Sequence, residues 1–121
     1  MLMLTQRTEL LNRLQEHGWR VADVEENLEW WADEMWLLES VWSPAGSRAY
    51  ITLLVNPMAD LNRRKGEAVW AVAASLAKPT SRLSAEGGFM LSFGQGWEER
   101  LPEFFERLSL LRSRNAEAGS T

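Results

Sequence analysis

The chain lacks cysteine altogether, has a single histidine, and has no apolar run approaching the ~18 residues of a membrane span. Without thiols there is no disulfide framework, thiolate nucleophile, iron–sulfur cluster or ordinary structural zinc site. His17 on its own cannot build a multi-histidine metal centre. No Walker-type Gly-Lys-Ser/Thr and no Gly-x-Ser-x-Gly occurs, so the familiar phosphate-cradling and nucleophile-elbow chemistries are missing too. Basic charge is also short. Residues 1–50 carry nine acids against four bases and residues 51–121 eight against nine, a net charge of −4 that opposes non-specific binding to nucleic acid. Met1-Leu2-Met3-Leu4 gives way at once to Thr5, Gln6, Arg7 and Glu9, with no basic region before a signal-length apolar run, which predicts a cytoplasmic protein without a membrane partner.

What remains is 121 residues, 45% of them hydrophobic, enough for a single core. The expected organisation is one domain over residues 1–114 and a disordered polar tail over 115–121. Residues 5–17 carry Leu10, Leu11 and Leu14 at helical spacing, with Thr5 as candidate N-cap and Gly18 where a left-handed residue ends a helix. Residues 19–24 suit a strand. Residues 35–42 and 49–55 are apolar on both faces and flank Ser43-Pro44-Ala45-Gly46, a type I turn signature, so they predict a hairpin of covered strands.

Residues 67–77 satisfy two periods at once. Val69, Val72, Ala73 and Leu76 fit a helix, which Gly66, Glu67, Lys78 and Pro79 would cap and stop, and this is the preferred reading; the alternation from Ala68 to Leu76 fits a strand equally. Residues 81–84 and 89–93 around Ala85-Glu86-Gly87-Gly88 read as a second hairpin. From Trp97, Leu101, Phe104, Phe105, Leu108 and Leu111 mark an amphipathic helix to about Arg114. The fold class is therefore α+β: an antiparallel sheet of about four to five strands with N- and C-terminal amphipathic helices packed on it. The preferred order is α-β-β-β-α-β-β-α, with residues 67–77 as a strand the alternative. That order resembles the topology of small acidic secretion-chaperone-like domains, with no shared motif.

Tryptophan is the outstanding presence, seven in all, five of them between Trp19 and Trp42. Such a cluster can be a core, a binding hot spot or a stacking wall for a sugar or heterocycle. Trp36, Trp42 and Trp70 lie in periodic segments and are expected in the core. Trp30 and Trp31 are adjacent, diverge on either regular element, and sit among Glu25, Glu26, Glu29, Asp33 and Glu34. On a helix, Glu26, Glu29 and Asp33 would share a face able to ligate Mg²⁺ or Ca²⁺, but no EF-hand spacing supports that; a solvated acidic loop is the plainer reading. Paired carboxylates beside aromatic walls also suit glycoside hydrolysis.

Gly94-Gln95-Gly96 imitates the start of a dinucleotide turn, but position 99 is Glu where a third Gly is needed, and Glu98-Glu99 would repel phosphate. Arg63-Arg64-Lys65 is too narrow for a nucleic-acid surface, and His17 suits a helix C-terminus. No residue is assigned to catalysis, a cofactor or a metal. The expected function is a non-catalytic protein-interaction or binding domain whose acidic, Trp-rich face, formed by Glu26, Glu29, Trp30, Trp31, Asp33 and Glu34, meets another protein or a second copy. A homodimer is expected because strands apolar on both faces need two covers. The alternatives are a binder of a sugar or aromatic metabolite in an indole-lined pocket, and a small carboxylate-based hydrolase.

Overall fold

The structure, a computed structural model, describes residues 4–29, 31–42, 46–56, 69–81 and 89–119. The elements run α1 (Leu4–Glu16), β1 (Trp19–Glu29), β2 (Ala32–Ser40), β3 (Arg48–Val55), β4 (Val69–Ser75), β5 (Phe89–Ser92) and α2 (Trp97–Gly119). The five strands form one antiparallel sheet in the order β1-β2-β3-β4-β5, each strand beside its neighbours in sequence. The class is α+β, with a helix at either end of the meander.

Residues 67–77 contain a strand, not the preferred helix, and the reason is the number of neighbours. In the register Ile51↔Ala74, Leu53↔Val72 on one side and Val72↔Leu91, Ala74↔Phe89 on the other, β4 is an inner strand. Ala71, Val72, Ala73 and Ala74 are all buried, the first and third against one face of the sheet and the other two against the opposite face. A helix would bury one stripe of this segment; the strand buries both, and that outweighs alanine's helix propensity. The middle helix on which the likeness to secretion chaperones rested is replaced by a strand.

Alternation divides the remaining residues between two clusters. On the helix-bearing face, Trp19, Trp36, Leu38, Ala49, Ile51, Leu53, Val72 and Leu91 meet Leu10 and Leu14 of α1 and Leu101, Phe104, Phe105, Leu108 and Leu111 of α2. Burying each of these large side chains contributes about 1.5–3 kcal/mol. The imidazole of His17 stacks on Phe105, centroids 4.5 Å apart, and so ties the end of α1 to α2. The other face holds Trp31, Ala32, Met35, Leu54, Ala71 and Ala73, with Tyr50, Trp70 and Met90 half-buried around them and, among the described residues, none from either helix. Met35, Thr52, Leu54, Ala71 and Ala73 are buried within one copy of the chain.

Several element ends differ from the sequence reading. β1 continues through the acidic segment to Glu29 where a solvated loop was the plainer expectation. β2 ends at Ser40, leaving Val41 and Trp42 outside it, and α2 runs to Gly119, past the expected end at Arg114 and into the segment expected as a tail. Gly18 takes the left-handed conformation at φ 77°. The expected turn residues 43–45, the basic run 63–65 and most of the expected strand at 81–84 lie outside the described residues; Ser81 is not in a strand.

Candidate functional site

Of the six residues expected to form an interaction face, Glu26, Glu29, Trp31, Asp33 and Glu34 fall on the β1–β2 hairpin, where Glu29 pairs with Ala32 and Glu26 with Glu34. Two like charges opposite one another destabilise a hairpin unless one is neutralised. Arg7 of α1 neutralises Glu34. Its Nε donates to Glu34 Oε2 at 3.0 Å and its Nη2 to Glu34 Oε1 at 2.9 Å, the bidentate fork that binds a carboxylate best. Trp36 Nε1 donates to Glu34 Oε1 at 3.3 Å, and the guanidinium lies 5.3 Å from the centre of the Trp36 ring. The hydrogen bonds that Arg7 donates to Glu34 raise the Arg7 pKa above its ordinary value; burial opposes this, and the charges of Glu34, Glu26 and Asp33 add to it.

This arrangement corrects the sequence reading of Glu34, expected on a solvated rim. Its carboxylate is 2% exposed and fastens α1 to the sheet. Trp31, expected as a surface anchor, is 6% exposed within the second cluster, and its carbonyl accepts from Val55 N at 2.9 Å. Asp33 is half-buried and Glu26 exposed; Glu29 joins β1 through its backbone, and Trp30 lies outside the described residues. On strands, Glu26, Glu29 and Asp33 do not form the single helical face that metal ligation required. Among the described residues no three His, Asp or Glu side chains converge as a metal-ligating group.

Trp42 is the converse correction. Expected in the core, it lies just past β2 and is 50% exposed, beside Val41 at 59%. It is nevertheless held firmly. Trp42 N donates to Ser40 Oγ at 3.2 Å, Ser40 Oγ donates to Trp42 O at 3.0 Å, and Val41 N donates to Gly18 O at 2.8 Å. The indole packs against Gly18, where a Cβ would overlap its ring atoms. Sequence carried a signal for this: Gly18 follows a helix, and Trp42 directly precedes Ser43-Pro44, where a strand has to stop.

Two concavities lie among the described residues. One, about 10 Å³, is lined by Asp23, Glu25, Met35, Leu37, Tyr50 and Lys78 and has room for about one water, with Lys78 Nζ donating to Glu25 at 2.8 Å. The other, about 230 Å³, runs between β5 and α2, lined by Phe89, Met90, Leu91, Ser92, Arg100, Glu103, Phe104 and Arg107. Neither is walled by an indole. No helix among the described residues is long and apolar enough to cross a membrane. The fold and surface thus define an α+β domain built on a five-stranded meander. Compared with known protein families, curated proteins and solved structures, the chain shows no match.

Proposed function

We propose that the protein is a non-catalytic interaction domain that engages another protein through the corner formed by Val41 and Trp42. The observation that carries this reading is an indole half exposed to solvent yet fixed by backbone hydrogen bonds and by its packing on Gly18. Tryptophan is the side chain most enriched at binding hot spots, and one ordered before binding loses little further entropy on contact. Val41 beside it extends the apolar patch, while Arg20, Glu39 and Arg48, linked as ion pairs on the neighbouring strands, supply charged groups nearby.

A photo-crosslinking amino acid at position 41, installed in the full chain in its host cell, tests this. The expected outcome is a discrete crosslinked product, with a second copy or with a different protein, that disappears when Trp42→Ser is combined with it. A product as abundant from the equally exposed control position Leu110, or unchanged by Trp42→Ser, overturns the reading.

A further inference from the structure

We propose that the cleft between β5 and α2 takes an extended, acidic peptide segment as a sixth strand of the sheet. β5 is the last strand in the sheet order, with no strand beyond it among the described residues. Phe93 N donates to Trp70 O at 2.9 Å, so the Phe93 amide faces β4. Backbone groups alternate sides along an antiparallel strand, and with Leu91 opposite Val72 and Phe89 opposite Ala74, the N–H and C=O of Met90 and Ser92 point away from the sheet. Ser92 agrees with this assignment, since its carbonyl accepts from Arg100 Nη2 at 2.7 Å, outside the sheet.

The outer edge therefore offers Met90 N–H, Met90 C=O and Ser92 N–H as a template for strand addition, with Ser92 C=O occupied by Arg100. The opposite edge, β1, is unsuited to the same use: it is bulged at Ala22 and carries Asp23, Glu25 and Glu26.

The wall of the cleft sets the chemistry of the occupant. Arg100, Glu103, Phe104 and Arg107 recur at i, i+3, i+4 and i+7, so α2 turns one face toward the groove. Two guanidinium groups stand against one carboxylate there, and Glu103 is bound by Arg107 at 3.1 Å. Among the described residues Arg100 holds only neutral carbonyls, of Ser92 at 2.7 Å and Gln95 at 3.3 Å. A carboxylate is the stronger partner for it. An incoming strand whose own N–H takes over the Ser92 carbonyl releases Arg100 to pair with an acidic side chain of that strand. A nucleic acid would use the arginines and leave the backbone template empty. This site is separate from the Val41–Trp42 corner and stands independently of it.

The test is a titration of the ¹⁵N-labelled full chain with end-blocked acetyl-Glu-Val-Glu-Val-Glu-Val-amide, followed by amide chemical shifts. Saturable shifts at Met90 and Ser92 are expected, with the apparent Kd rising at least fivefold in Arg107→Glu and unchanged in Trp42→Ser. Arg107 is chosen because its side chain is exposed and takes no part in the core; Arg100→Gln, which also frees Ser92 C=O, should lose the preference for Glu over Lys peptides. The proposal is overturned by no saturable binding, which leaves Arg100 as a guard that merely blocks the edge. It is equally overturned by undiminished binding of the backbone N-methylated peptide, or by a hexathymidylate that binds as tightly and marks a plain anion surface.

Discussion

Arg7 and Glu34 are bound to each other but differ in access to water, and that difference decides what each substitution does. Arg7's side chain is 32% exposed, whereas Glu34's is 3% exposed. Arg7→Met strands a buried carboxylate and should cost about 3 kcal/mol, while Glu34→Gln keeps an acceptor for Trp36 and leaves a guanidinium that can still reach water, costing about 1 kcal/mol. Equal losses in urea unfolding would show that the pair is solvated. The raised Arg7 pKa stabilises the fold fully below its ordinary value and is lost only as pH rises through the still higher folded value. Mildly alkaline solution should therefore leave α1 docked, which far-UV circular dichroism can check. Thr52 presents the opposite situation: it is 1% exposed, lies between Met35 and Ala73, and its Oγ1 has no hydrogen-bond partner. Thr52→Val keeps the shape and the β-branch and removes that desolvated hydroxyl, so the unfolding free energy should rise by about 1 kcal/mol. A loss of stability instead would reveal a partner for the hydroxyl.

At the scale of elements, how well a segment could be read depended on whether its pattern admitted one period or two. Residues 5–17 and the run from Leu101 to Leu111 alternate at helical spacing only, and both are helices. The 35–42 and 49–55 hairpin was legible because a turn signature separated two runs apolar on both faces; β2 and β3 do pair antiparallel. Residues 67–77 obeyed both periods, and what settled them was the presence of β3 and β5 on either side, which no local window contains. The candidate site was the least legible. Composition marked the acidic Trp30–Trp31 segment as exposed, but Arg7, distant in sequence, neutralises Glu34, and the hairpin turns Trp31 into the second cluster. α2 contains one local conflict. Pro102 lies inside the helix on its exposed side, so the Glu98 carbonyl has no amide donor four residues on. Pro102→Ala restores that donor and should raise stability by about 1 kcal/mol or more, read as a higher denaturant midpoint at unchanged m. A lower midpoint would mean that the proline ring contributes packing that outweighs the hydrogen bond.

For the whole molecule, the decisive feature is that the two clusters share strands. β2 contributes Trp36 and Leu38 to one and Met35 to the other, β3 contributes Ile51 and Leu53 against Leu54, and β4 contributes Val72 and Ala74 against Ala71 and Ala73. Neither cluster can come apart while the other keeps these three strands paired, so the sheet interior should open only with the whole fold. The edges differ: β1 is bulged and exposed from Ala22 to Val24, and β5 is short. Native-state hydrogen exchange in low urea should accordingly give the amides of Ile51, Leu53 and Val72 the full free energy of global unfolding, while those of Asp23 and Glu25 exchange through smaller openings. The same measurement on Thr52→Val makes the prediction sharper. If the coupling holds, the gain at Thr52 on the second face appears in full at Ile51 and Leu53, whose side chains face the helices, and not at Asp23. A gain confined to residues of the second cluster would show that the two faces of this sheet unfold separately.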